Sequence, residues 1–125
     1  MCLDNLGKFP LNVRFGYKVF HRSIDKKLGF VLRGNNKHVY LNRWLNEKDY
    51  RDKQFKKNEY LISDAGSRYR FGFHIFLTDA DAFLYRASSC SEIRRVTFRQ
   101  MLAKGYEFGR RTVVVKEMKV LERVS

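Results

Sequence analysis

The stretch YRFGFHIFL, residues 69–77, followed at once by Thr78-Asp79-Ala80-Asp81, decides how this chain reads. Its aromatic and branched residues mark the most strand-like segment of the sequence, one expected at the centre of a sheet. Directly after it, the Thr78 hydroxyl is placed to cover orphan amides, and Asp79 and Asp81 complement the positive end of a helix dipole. Ala80, Phe83, Leu84 and Ala87 then recur at helical spacing, which predicts a short amphipathic helix packed on the sheet. A central strand leading into a packed helix gives an α+β class.

Reading outward, residues 15–21 (FGYKVFH) put Phe15, Tyr17, Val19 and His21 on one face and Gly16, Lys18 and Phe20 on the other, the pattern of a half-buried strand. Residues 30–33 form a second short strand after the turn-like Asp25-Lys26-Lys27, and Gly34-Asn35-Asn36 breaks it. Residues 40–58 have no clean period: Trp44, Leu45, Tyr50 and Phe55 are scattered among basic residues, which predicts a long, partly helical basic excursion. Residues 59–63 form a strand, residues 64–67 a turn, and Ser88-Ser89 ends the helix. Residues 93–98 and 112–121 alternate as the last two strands. With no internal repeat and no linker, the economical reading is a single domain, 1–125, with residues 1–12 as a flexible tail. The architecture expected is a compact, mostly antiparallel sheet of about five to six strands with one amphipathic helix.

Composition bounds the rest. Lys and Arg number 26 against 13 Asp and Glu, a net charge of +13 on 125 residues, while 44% of the chain is hydrophobic and 15% aromatic. That apolar content supports a real core and excludes global disorder. The charge surplus speaks to partners rather than fold, and it points to nucleic acid or an acidic protein surface. No apolar run reaches the ~18 residues of a membrane helix, and the opening lacks the order of a signal peptide, so the expectation is no membrane contact and a place in the cytoplasm of the producing or host cell, or in a virion. Cys2 and Cys90 match neither a disulfide framework nor a metal-ligand spacing, so no metal and no cofactor are expected.

Four constellations carry candidate chemistry. Arg94, Arg95 and Arg99 lie on one strand and Arg110 and Arg111 on the turn into the next, so a hairpin would gather five guanidinium groups near one edge, with Tyr106 and Phe108 interleaved for base stacking. The plainer reading is a solvated face that protects a sheet edge. His74, among aromatics, is either a hydrogen-bonded core residue or a titrating group lining a cleft, and His21 stands at a strand end where sites are framed. His38 lies in a loop and carries no signal. Cys2, exposed as the N-terminal residue once Met1 is removed, has the form of an N-terminal nucleophile, against the simpler reading of an incidental thiol. Glu117 shares a face with Lys119, and a solvated ion pair is the simpler explanation of that pair.

The Met1-Cys2-Leu3 opening, Tyr17-Lys18-Val19-Phe20, Gly72-Phe73-His74-Ile75-Phe76 followed by an Asp-Ala helix, and the closing Val113-Val114-Val115-Lys116-Glu117-Met118 together resemble a scattered set of small phage, giant-virus and bacterial proteins of no agreed activity. That resemblance implies a viral origin. The same order is more distantly similar to minimal ADP-ribosyltransferase domains, which implies sites for His21 or Arg22, His74, Tyr85 and Glu117. The chain lacks the His-Gly or Arg-Gly pair, the Ser-Thr-Ser and the Glu-x-Glu of that family, which implies a related fold without the activity. The function expected is a non-catalytic viral or phage accessory module that engages nucleic acid or another polyanion through Arg94, Arg95, Arg99, Arg110, Arg111 and Tyr106. The alternatives are a degenerate ADP-ribosyltransferase-like enzyme and a virion assembly component lying against genome or an acidic capsid neighbour.

Overall fold

The computed structural model describes residues 3–23, 27–30, 38–50, 60–85 and 90–125. In chain order the described elements are β1 (Asn5–Leu6), β2 (Phe15–Arg22), β3 (Leu28–Phe30), β4 (Trp44–Asn46), a 3-10 turn (Glu47–Tyr50), β5 (Tyr60–Ile62), β6 (Arg68–Arg70), β7 (Phe73–Phe76), α1 (Asp79–Leu84), β8 (Ser91–Glu107) and β9 (Arg110–Arg123). Among the described residues 58% are strand and 10% helical, in a seven-stranded antiparallel sheet and a separate β5–β6 pair, so the α+β expectation is corrected to a mostly β fold.

The frame is the β8–β9 hairpin, paired from Arg94↔Arg123 to Glu107↔Arg110. Phe108 and Gly109 both have positive φ, 51° and 74°, the signature of a two-residue primed turn whose twist suits a hairpin. Phenylalanine is a poor residue for that conformation. A hydrogen bond from its amide to the Asp4 carboxylate, 2.7 Å, holds it there. At Gln100, φ 60°, and at the register shift between Met101 and Ala103, β8 bends, so its two halves face different neighbours. Its first half pairs with β2, from Ser91↔His21 to Thr97↔Phe15. Its second half pairs with β1, at Gly105↔Leu6 and Tyr106↔Asn5. β9 likewise pairs with β7 at residues 112–115 and with β4 at residues 117–119. Because β7 also meets β2, at Tyr17↔Phe76, the path β8–β2–β7–β9 returns to β8 and closes a small barrel.

Inside that ring, Phe20, Phe73, Ile75, Val96, Phe98, Val113, Val115, Met118 and Val120 make the main core. Leu3, Leu61, Tyr69, Phe71 and Val114 make a second cluster beneath the β5–β6 pair. The stretch expected to be tail-like therefore contains a fully buried Leu3 and a strand, β1.

The helix expectation needs correction too. Thr78 does cap α1, accepting the Asp81 amide at 3.1 Å. Yet only Ala82 of its six residues is buried, against Val19, Phe76 and Ile93 of the sheet, while Phe83 and Leu84 are 55% and 65% exposed, so α1 meets the sheet through one buried residue and does not lay down the expected amphipathic face. A sheet closed on itself fills its own interior and leaves a single helical turn little to cover; Ala87 lies outside the described residues. The expected 69–77 strand is two strands broken at Phe71-Gly72, because β6 turns away to pair with β5. The excursion expected to be partly helical opens as strand β4 followed by the 3-10 turn, and its residues 51–58 lie outside the described part. So do Cys2, Asp25-Lys26, residues 31–33 of the expected second strand, Gly34-Asn35-Asn36 and Ser88-Ser89.

Candidate nucleic-acid interface

The alternation that buries Val96, Phe98, Met118 and Val120 turns Thr97 and Lys119 outward on the same two strands. Register then does the rest. Thr97 stands opposite Phe15 of β2 and opposite Lys119 of β9, and Lys119 stands opposite Trp44 of β4. Phe15, Thr97, Lys119 and Trp44 thus form one lateral row across four strands on the outer face, about 14 Å from end to end at ~4.8 Å per strand.

Basic side chains lie over both aromatic ends. The Arg99 guanidinium carbon is 4.0 Å and the Lys119 ammonium 5.0 Å from the Trp44 ring centre. The Arg95 guanidinium carbon is 5.6 Å from the Phe15 ring, which is itself 45% exposed. Arg99 also pairs with Glu117 at 3.0 Å and Arg95 with Glu122 at 2.7 Å, both on a surface where water screens the pairs and lets them exchange partners. The face therefore interleaves aromatic rings with cations that lie over them.

The five arginines expected at one edge are split. Arg95 and Arg99 belong to this face. Arg94 turns the other way and is 12% exposed, spending its guanidinium on Glu92 at 3.0 Å and on the Leu121 carbonyl at 3.0 Å. Glu92 also receives Arg22 at 2.8 Å and Arg123 at 3.7 Å; the hydrogen bond from Arg22 is the main reason its carboxyl titrates at about 2 instead of 4.5, with Arg94 adding to it against the cost of burial. Arg110 and Arg111 sit at the hairpin tip, remote along the strands. Arg110 pairs with Asp81 at 3.6 Å, and Arg111 lies 5.8 Å from the Phe9 ring. Tyr106 packs against the same Phe9 ring in a T-shaped contact at 5.6 Å.

The four residues that the ADP-ribosyltransferase resemblance implied fall in different neighbourhoods. His21 is exposed at the end of β2. His74 is buried, its Nε2 3.2 Å from the Tyr69 hydroxyl and its Nδ1 3.2 Å from the Gly72 carbonyl, and Tyr69 accepts the Leu3 amide at 2.8 Å. The His74 backbone carbonyl accepts the buried Lys18 ammonium at 2.6 Å. Tyr85 lies between Phe76 and Phe108, at 5.6 and 5.7 Å, and burial, with Glu107 nearby, pushes its phenol up to about 12. Glu117 is engaged by Arg99 on the outer face.

Sequence pattern does not single out Phe15, Trp44 and Lys119 as a site. Trp44 is the sole tryptophan of the chain, and that is the available signal, but a three-residue strand shows no period and its partner is remote in sequence. Among the described residues no group of three or more His, Cys, Asp and Glu could hold a metal ion, and no helix is long and apolar enough to cross a membrane. Comparison with known proteins finds no family model, no curated protein and no solved structure that matches this chain.

Proposed function

We propose that this chain is a non-catalytic module that binds single-stranded nucleic acid across the outer face of β2, β8, β9 and β4. The observation that carries the reading is the row Phe15, Thr97, Lys119 and Trp44, flanked by Arg95 and Arg99. A strand laid along it stacks bases on Phe15 and Trp44, and its phosphates take the place of Glu117 and Glu122 as partners of the two arginines. Phe15 is 45% exposed, so an unpaired base can reach its ring, whereas a duplex presents only its backbone. The net charge of +13 supplies long-range attraction for the same ligand.

Because Trp44 is the sole tryptophan, its fluorescence reports directly from the site. Titration with single-stranded DNA and RNA oligomers should quench it saturably, and anisotropy of labelled oligomers should give the same affinity. Trp44→Ala and Phe15→Ala should each weaken binding by roughly 5- to 150-fold, the range of about 1–3 kcal/mol for loss of one stacked base. Arg99→Ala should lower the salt slope by about 0.7, the single-strand value for one phosphate contact. Equal affinity for duplex and single strand, or indifference of binding to Phe15 and Trp44, would refute the assignment.

A further inference from the structure

Beside Trp44, where the row ends, lies a cavity of about 410 Å³ lined by His38, Tyr40, Arg43, Trp44, Asp49 and Tyr50. Building on the strand-binding reading above, we propose that this cavity receives one guanine base of the bound strand and gives the module a preference for guanine-containing sequences.

The size is right for a nucleoside, within the roughly 300–1,000 Å³ of small-ligand clefts. Its walls are planar and partly fixed. Tyr50 is held by a hydrogen bond from its hydroxyl to the His38 carbonyl at 2.9 Å, and its ring packs on Phe30 and Phe73 of the core at 5.5 and 5.9 Å. The His38 ring meets Tyr40 edge-on at 4.6 Å, and the Arg43 guanidinium lies 4.6 Å over the same Tyr40 ring. Burial first, then the neighbouring Tyr40 and Asp49, raise the Tyr50 phenol above its ordinary value while Arg43 opposes them. His38 Nδ1 is shut off from solvent and has no hydrogen-bond partner among the described residues.

The polar complement selects the base. An ionised carboxylate only accepts hydrogen bonds. Guanine is the base whose pairing edge presents two adjacent N–H donors, and adenine places an acceptor beside its amino group instead. The Asp49 carboxylate therefore suits guanine on that edge, and the Arg43 fork suits the O6 and N7 acceptors of its other edge. A splayed base stacked on aromatic and guanidinium planes and read on both edges is the usual way a single strand is recognised by sequence. Continuity with Trp44 makes the cavity a side chamber of the strand path, one base deep.

The test compares a thymidylate dodecamer with the same oligomer carrying one central guanine or one central adenine, by anisotropy, alongside Trp44 quenching by guanosine 5′-monophosphate alone. The expected result is at least about fivefold tighter binding with guanine than with thymidylate alone, little gain with adenine, and saturable quenching by the mononucleotide. Asp49→Asn and Tyr40→Ala, both at exposed positions, should abolish the guanine gain and leave thymidylate affinity in place. Equal affinity for the three oligomers overturns the guanine site while the strand-binding reading stands. Absence of binding to every oligomer overturns strand binding, and the mononucleotide then decides the cavity: quenching by it sustains a guanine site, and none overturns it.

Discussion

Replacing Glu92 by glutamine should cost roughly 2–3 kcal/mol of stability at neutral pH and remove the part of the fold's acid sensitivity between pH 4.5 and about 2 that this carboxyl contributes. Glu92 is 5% exposed and joins three strand ends, through Arg22 at the end of β2, Arg94 on β8 and Arg123 at the end of β9. Its carboxyl titrates at about 2 against an ordinary 4.5, and at ~1.36 kcal/mol per pH unit the gap corresponds to about 3 kcal/mol. Arg22 and Arg123 are 31% and 52% exposed, so water screens their share and moves the expectation toward ~2 kcal/mol. The sign follows from the direction. A carboxyl depressed in the fold adds stability that is fully present above pH 4.5 and is lost as pH falls toward 2. The Glu92→Gln substitution leaves three guanidinium groups facing one another without a carboxylate between them. Urea unfolding of both proteins at pH 7, 5, 4 and 3 measures the difference, which should be largest at pH 7 and shrink below pH 4.5 as Glu92 protonates in the unfolded wild-type chain before it does so in the fold. A difference that stays constant with pH, or one below ~0.5 kcal/mol at pH 7, would show that the ion cluster does not hold the strand ends together.

Three further substitutions probe the fold. Gly16→Ala drives a methyl group against the Phe76 carbonyl oxygen and the Ile75 side chain where the barrel closes, and should lower stability by about 1–3 kcal/mol in thermal unfolding. Phe20→Ala empties a fully buried ring from the main core and should cost about 3–5 kcal/mol in urea unfolding. Tyr69→Phe strands the buried Leu3 amide and removes the hydroxyl beside His74 Nε2, so it should cost about 1–3 kcal/mol and speed hydrogen exchange at Leu3. Unchanged Leu3 exchange would mean that the Tyr69 hydroxyl does not anchor the N-terminal segment.

Local pattern is a good guide wherever strands pack one face on the core. Residues 15–21 fall within β2, residues 93–98 within β8 and residues 112–121 within β9, because each is rich in aromatic and branched side chains; strict alternation of burial holds only over parts of them, such as residues 95–98 and 117–121, while residues 112–115 are buried on both faces. The same logic misleads at Phe83 and Leu84. Helical spacing of apolar residues says which side chains share a face, but not whether anything lies against that face. The β8–β9 hairpin is expected from the order of the two strands, but its turn is not legible: it is Phe108-Gly109 instead of an Asn-Gly type pair, and its positive φ at Phe108 is secured by Asp4, remote in sequence.

By itself the sequence determined the charge, the strand-rich pattern and the capped start of the helix, since these depend on composition and near neighbours. The candidate face was decided by tertiary structure alone. Phe15, Thr97, Lys119 and Trp44 come from four strands, and only the register of β2, β8, β9 and β4 sets them in one row. The same register divides the arginines, sending Arg95 and Arg99 to the outer face and Arg94 to Glu92, because a shift of one residue along a strand moves a side chain to the opposite face.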